Sequence, residues 1–215
     1  MAIEQVNYVA LTLEEQLPIW LIVIPFVAAP LILLFGNKGL AWAVSFLATA
    51  FSLAISVILV LTLKDGGVIS YHIGGWAPPI GIEYRIDATN ALILMLISLI
   101  ATVALPYAYR SVISEINPKH HTLFYASYML CFTGLMGIVV TGDAFNIFVF
   151  LEISSLATYI LVAMGAYKDK RALTAAYDYL ILGTIGATFF VIGIGFLYMA
   201  TGTLNLVDLA DRISD

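Results

Sequence analysis

Residues 141–165 read TGDAFNIFVFLEISSLATYILVAMG, an apolar stretch in which one carboxylate, Glu152, stands near the middle. About 20 apolar residues suffice for an α-helix to cross the roughly 30 Å hydrocarbon core of a bilayer. Similar stretches recur along the chain, which is 62% hydrophobic and only 11% charged. Soluble domains carry about 25% charged residues. The sequence therefore predicts an all-α polytopic membrane protein whose solvent is the lipid bilayer.

Apolar runs between turn-forming residues predict about six transmembrane helices. The first connection, residues 36–39, has the glycines and the asparagine of a tight turn between antiparallel helices. The segment 64–87 is punctuated by Gly-Gly and Pro-Pro pairs, which predicts an extracytoplasmic β-hairpin or an ordered loop. The predicted helices cover about 18–36, 40–63, 88–109, 122–141, 144–166 and 172–200.

The basic residues predict that the N-terminus lies outside, because cytoplasmic connections are enriched in Lys and Arg. In that orientation six basic residues are cytoplasmic and three are not. The acidic pI of about 5.0 reflects the outer loops and therefore carries no inference about partners. We expect no nucleic-acid partner. The cytoplasmic residues are Lys38, Arg110, Lys119, Lys168, Lys170 and Arg171, and the outer ones are Lys64, Arg85 and Arg212.

Residues 205–213 predict a short interfacial helix. Asn205 is a suitable N-cap, and the apolar residues that follow it have helical spacing. Such a helix usually links two spans. We therefore expect either that the chain is half of a larger fold or that another subunit packs where the next helix would be.

Glu152 is the main candidate for chemistry. It lies nine residues after Asp143, which at about 1.5 Å per residue places it roughly 14 Å into the membrane. A carboxylate there costs several kcal/mol unless it is paired, hydrated or protonated. Ser155 and Tyr159 share its helical face and are placed to hydrogen-bond it or to hold a water chain. We interpret Glu152 as a switchable proton site; the alternative is a protonated Glu that only hydrogen-bonds a neighbouring helix.

Three further titratable residues lie toward the predicted cytoplasmic side. Asp178, near the start of the sixth helix, is either an inward proton relay or an acid favoured by the helix N-terminus. His120 and His121 are either a proton-collecting pair or solvated loop residues.

We expect no metal, cofactor or catalysis by the chain itself. No Cys, Asp or Glu stands at ligand spacing around the histidine pair. Cys131 is the single cysteine, which excludes an intrachain disulfide and a cysteine-based metal site. The sequence has no Gly-rich phosphate loop and no hydrolase constellation.

Residues 141–165 resemble the antiporter-like subunits of Mrp-type multisubunit sodium/proton antiporters. The same family includes the proton-pumping membrane subunits of respiratory complex I and of membrane-bound hydrogenases. The continuation, YLILGTIGATF at 179–189 and GTLNLVDLA at 202–210, is most similar to the D-type chain of Mrp antiporters or to its hydrogenase relatives.

The resemblance implies a fold of about fourteen helices, of which this chain matches the N-terminal portion. It also implies that Glu152 pairs with a lysine on a seventh helix, and that later lysines and histidines carry protons across. No lysine lies inside a predicted span of this sequence. The resemblance thus implies partner subunits, one of which supplies the intramembrane lysine.

We therefore expect a multi-pass protein of a prokaryotic inner membrane that contributes Glu152 to a proton path in a larger complex. That complex would be an Mrp-type sodium/proton antiporter or a related respiratory or hydrogenase complex, including an ion-translocating oxidoreductase. The alternative is a structural membrane module that transports nothing and docks a redox or hydrogenase complex.

Overall fold

The computed structural model describes residues 13–214, and its architecture is nearly all helical. Among these residues, six helices are long and apolar enough to cross a membrane, which confirms the predicted fold class. A seventh, short helix follows them. The helices are α1 (Leu13–Phe35), α2 (Lys38–Leu63), α3 (Ala88–Glu115), α4 (His121–Val140), α5 (Ala144–Met164), α6 (Arg171–Thr201) and α7 (Leu206–Ser214). The side of the membrane on which the N-terminus lies stays a prediction.

The segment between α2 and α3 forms a two-stranded antiparallel hairpin. Its strands are β1 (Ile69–His72) and β2 (Glu83–Ile86), and the register pairs Ile69 with Ile86 and His72 with Glu83. Glycines with positive φ, such as Gly74 at 68° and Gly75 at 76°, allow the chain to turn at the tip. Of the two expectations for this segment, the structure therefore has the hairpin.

Helix α3 continues through Pro106 and ends at Glu115, six residues beyond the predicted end at 109. A proline inside a helix leaves backbone carbonyls unpaired, and neighbouring side chains satisfy them in membrane proteins. The donor that Pro106 lacks would have paired with the carbonyl of Thr102. Just before the proline, the indole Nε1 of Trp42 on α2 donates to the carbonyl oxygen of Leu105 at 3.0 Å and ties α3 to α2. The last turns of α3 are polar, so hydropathy alone ends the helix too early.

Helix α4 lies at the centre of the bundle. It packs against α1, α2, α3 and α5, and 56% of its most apolar 18-residue stretch is buried. Two of its glycines lie against α5, Gly134 beside Ser154 and Gly137 beside the ring of Phe150. Small residues at such contacts let membrane helices approach closely.

Helix α6, unlike α4, lies at the edge of the bundle, since only 11% of its most apolar 18-residue stretch is buried. It packs mainly on α5, through small residues that include Ala176, Gly183 and Ala187. The rest of its surface has no cover among residues 13–214, and a Cβ at Gly186 or Gly193 would meet nothing within 4 Å.

Candidate functional site

The helix that carries Glu152 begins at a side-chain cap. Asp143 accepts a hydrogen bond from the backbone N–H of Asn146 at 2.7 Å, and this is the usual role of an N-cap aspartate. The Asn146 side chain in turn donates to the Thr141 hydroxyl at 3.1 Å. These bonds fix the first turn of α5, and hence the rotation of the whole helix.

Contacts along α5 establish which way Glu152 points. Ser154 faces α4, because a Cβ at Gly134 would lie 2.6 Å from the Ser154 Cβ. Side chains two residues apart in an α-helix point about 200° apart. Glu152, two residues before Ser154, therefore points away from α4. Tyr159, almost two turns further on, packs edge to face on Tyr179 of α6 with 5.1 Å between ring centroids. Glu152 and Tyr159 therefore share the α6-facing side of the helix.

The carboxylate of Glu152 has an unsatisfied atom. Its Oε1 is buried and has no hydrogen-bond partner among the described residues. A buried acceptor without a donor costs about 1–3 kcal/mol, and more if it is charged. This oxygen is therefore suited to accept from a water molecule or from an approaching cation of a neighbouring segment.

Along the Glu152 face of α5, the residues on the C-terminal side of Glu152 are polar and those on its N-terminal side are apolar. Toward α6's first turns lie Ser155, which is half-buried, and Tyr159, which is 7% exposed. Toward the hairpin lie Phe145 and Phe148, whose ring centroids are 5.9 Å apart. The structure thus places three of the predicted residues, Glu152, Ser155 and Tyr159, on one surface.

Asp178 lies on α6 beside Tyr179, whose ring touches Tyr159. It is exposed within residues 13–214, and no hydrogen bond joins it to Glu152. Asp178 lies about 10 Å along the helix axis from Arg171, the first residue of α6. An uncovered carboxylate at this depth is costly in lipid, so this part of α6 is suited to face protein or water.

The two histidines differ from each other. His120 is exposed, whereas His121 is 3% exposed and its Nε2 lies 3.0 Å from the carbonyl oxygen of Ile116. The interpretation of both as solvated loop residues therefore fails for His121. Neither is brought next to Glu152, since the pair stands at the start of α4 and Glu152 lies mid-way along α5.

Sequence reasoning missed a buried acid, Glu83 on β2, which is 4% exposed, whereas Glu152 as a whole is half-buried. Ser70 donates to its Oε1 at 2.6 Å, and the side-chain amide of Asn205 donates to its Oε2 at 3.0 Å. Burial raises the pKa of Glu83, but these two hydrogen bonds and nearby Arg85 lower it, and the net pKa lies below the usual range. The strand reads Glu-Tyr-Arg-Ile, a regular polar–apolar alternation that predicts Glu83 and Arg85 on the exposed face, so no sequence signal pointed to the burial of Glu83.

The pKa of Asp143 is shifted in the opposite direction from that of Glu83. Burial raises its pKa above the usual range, although the backbone N–H groups of Asn146 and Phe145 lower it. Within the part of the chain that the structure describes, no group of three or more His, Cys, Asp or Glu side chains is placed to hold a metal ion.

Residues 141–214 match a known family, described as NADH:quinone oxidoreductase/Mrp antiporter, transmembrane. The N-type chain of the NADH-quinone oxidoreductase of Desulforudis audaxviator is 40% identical over 201 residues, which cover 92% of this chain and 39% of that protein. The D-type chain of the Na(+)/H(+) antiporter of Bacillus subtilis is 34% identical over 196 residues, with coverage of 90% and 38%.

Several solved structures resemble the chain, among them these two. One belongs to the membrane-bound sulfane sulfur reductase, an archaeal respiratory membrane complex, with a TM-score of 0.83, 31% identity and coverage of 91% of this chain and 39% of that one. The other belongs to the Mrp complex from Dietzia sp., with a TM-score of 0.80, 24% identity and coverage of 95% and 40%. The second likeness concerns the fold alone. The chain spans about two fifths of the length of these relatives.

Proposed function

We propose that this multi-pass membrane chain, whose residues 141–214 match the NADH:quinone oxidoreductase/Mrp antiporter family, contributes Glu152 to a proton or cation path. The path would run through a multisubunit complex of the Mrp type or of a related respiratory or hydrogenase type. The observation that carries the proposal is the buried, unpartnered Oε1 of Glu152 in a membrane-spanning helix.

The proposed chemistry is a coupled change of charge. A cation that approaches a buried carboxylate favours its ionised form, and withdrawal of the cation favours uptake of a proton. The lysines of this sequence are Lys38, Lys64, Lys119, Lys168 and Lys170, all near helix ends. The approaching cation is therefore assigned to a lysine of another membrane segment, which would face the uncovered side of α5 and α6.

Ser155 and Tyr159 are proposed to carry protons between Glu152 and the turn at residues 165–170. Both have hydroxyl groups on the Glu152 face, and a hydroxyl both donates and accepts. Asp178 is the proposed acceptor nearest that turn, and His120 and His121 are assigned a more peripheral role in proton collection.

The proposed setting is a prokaryotic inner membrane, with the N-terminus and the hairpin outside. The basic residues of the 165–171 segment and of the α3–α4 turn would then lie in the cytoplasm, as the positive-inside rule favours. Other membrane subunits of the complex are the proposed partners.

The test is Glu152→Gln in the assembled complex, in membrane vesicles, with transport followed by a pH-sensitive dye. Glutamine keeps the size and a hydrogen-bonding oxygen but cannot exchange a proton, so we expect loss of transport with normal assembly. The control is Glu115→Gln, which removes an exposed carboxylate that pairs with Lys168 at 3.1 Å. Transport at the wild-type rate in Glu152→Gln would contradict the proposal.

The competing function is a structural module that docks a redox or hydrogenase complex. It is favoured by the lack of a lysine within the spans of this sequence. In that case Glu152→Gln would leave transport intact, whereas removal of residues 201–215 would disturb assembly.

A further inference from the structure

Glu83 stands at a junction of three chain segments that are far apart in sequence. Its side chain accepts from Ser70 on β1 and from Asn205, which lies 122 positions later, just before α7. Its backbone carbonyl oxygen accepts from the N–H of Gly142, in the turn between α4 and α5, at 2.8 Å. One residue of the hairpin thus holds the start of α5 and the end of α6.

Asn205 contributes to the junction with both ends of its amide. Its Oδ1 accepts from the N–H groups of Val207 and Asp208, each at 3.1 Å, and so caps α7. Its Nδ2 is the group that donates to Glu83. Asn205 is only 3% exposed. Removal of the Glu83 carboxylate would therefore leave the Asn205 side-chain amide as a buried donor without a partner.

Backbone hydrogen bonds complete the link between α5 and α6. The N–H of Ala144 donates to the carbonyl oxygen of Leu204, and the N–H of Leu206 donates to that of Gly142, both at 2.9 Å. Asp143 and Asn205 form an antiparallel bridge. The segment that caps the Glu152 helix and the segment that ends α6 are therefore joined by an isolated antiparallel bridge.

The opposite ends of α5 and α6 are held differently. Their turn is exposed, and its long-range ion pair, between Lys168 and Glu115, has both side chains about half exposed or more, at 65% and 48%. Exposed ion pairs contribute little, typically about 0–1 kcal/mol. At the end opposite this turn, the position of α6 relative to α5 is held by the buried junction at Glu83, and between the helices it is held by close contacts such as that of Tyr159 with Gly183.

We propose that Glu83 is a positioning residue for Glu152. By fixing Asn205 and Gly142, it sets the height of α6 beside α5, and hence the wall of α6 that faces the Glu152 carboxylate. This inference rests on the proposed function of Glu152, which it extends to the hairpin. Both carboxylate oxygens of Glu83 accept a hydrogen bond from a neighbouring segment, so its proposed role is to hold these segments and not to carry a proton.

The experiment uses the assembled complex with Glu83→Gln, Asn205→Ala and the double variant. A displacement of about 1 Å in a reacting group costs up to about 100-fold in rate, so we expect each single variant to lower transport per assembled complex by ~10-fold or more. The pH profile of transport should move as well. Residues that act through one contact are not additive, so the double variant should be no slower than the worse single one.

The matched control is Asn37→Ala. Asn37 is also an N-cap asparagine, for the N–H groups of Gly39 and Leu40 on α2, and its side-chain hydrogen bonds stay within that turn. We expect its pH profile and its transport per complex to equal those of the wild type.

A second measurement does not depend on transport. In a Cys131→Ser background, Ser155→Cys reports the accessibility of the Glu152 face through its rate of alkylation by N-ethylmaleimide. Glu83→Gln should change that rate at least several-fold, whereas Asn37→Ala should not. This readout separates the two proposals, because it holds or fails whether or not Glu152→Gln stops transport.

Two results would overturn the role of Glu83. One is an unchanged alkylation rate together with a normal pH profile. The other is a reduced amount of assembled complex whose transport per complex is normal, because Glu83 would then stabilise the fold without positioning Glu152.

Discussion

The hydroxyl of Tyr159 on α5 lies directly against the backbone of Gly183 on α6, with no room for a methyl group between them. The contact occurs on the face that also carries Glu152. It therefore couples the packing of the two helices to the proposed proton path, and it can be tested by adding or removing single atoms.

Gly183→Ala should displace the Tyr159 hydroxyl and destabilise the protein. Overpacking of this kind costs about 1–3 kcal/mol. Tyr159→Phe removes the oxygen, so the double variant should regain most of the lost stability. Thermal unfolding in detergent, followed by size-exclusion chromatography, measures the effect. Equal losses in the single Gly183→Ala and the double variant would show that the hydroxyl is not the obstacle.

Gly134→Ala should separate α4 from α5. The new Cβ would stand 2.6 Å from the Ser154 Cβ and 2.7 Å from the carbonyl oxygen of Phe150, and backbone atoms cannot move aside as a flexible side chain can. We expect a loss of about 1–3 kcal/mol or more, visible as a lower unfolding temperature. In the chain purified alone, Gly193→Ala is the control, because its Cβ meets nothing within 4 Å. Similar unfolding temperatures in both variants would contradict the close contact.

Asp143→Asn should leave stability at neutral pH unchanged or raise it. Asparagine caps a helix about as well as aspartate, and it avoids the cost of a buried charge. Asp143→Ala, by contrast, removes the hydrogen bond to Asn146 and should cost about 1 kcal/mol. Unfolding temperatures of the two variants decide the matter, and a large loss in Asp143→Asn would mean that the charge itself is needed.

The two acids outside the spans should act oppositely on stability as pH changes. The pKa of Glu83 is lower in the folded protein, so its contribution is present above 4.5 and is lost as pH falls through the folded pKa. The pKa of Asp143 is raised, so folding is penalised as pH rises from 3.8 through its folded pKa. Glu83→Gln should weaken the loss of stability in acid, whereas Asp143→Asn should remove part of the decline above pH 3.8. Unfolding temperatures between about pH 3 and 7 test both signs, and identical profiles in the two variants would contradict them.

The sequence predicts the spans well because the bilayer imposes a length and a polarity on every crossing helix. It fails where the signal is not local. The burial of Glu83 depends on Asn205, which lies 122 positions away, and no periodicity reveals such a partner. The different fates of His120 and His121 likewise depend on the carbonyl oxygen of Ile116, which only the folded turn brings to His121.

Glu152 was recognisable for the converse reason. A carboxylate inside an apolar span is exceptional whatever surrounds it. The direction in which it points was less accessible, since it follows from the contact of Gly134 with Ser154 and of Tyr159 with Gly183.

The one-sided packing of α6 sets an order for biogenesis. Helices α1 to α5 can bury their small residues against one another soon after insertion, whereas α6 contacts mainly α5 and leaves Asp178 uncovered. An acidic residue facing lipid costs roughly 2.5–3.5 kcal/mol at the centre of a span on insertion scales, and Asp178, about 10 Å from the start of α6, would carry part of that cost. In a cell that makes this chain without the partner helices proposed above, we therefore expect quality-control proteases to extract α6 first, and the lifetime of the chain should measure how quickly a neighbouring helix covers it.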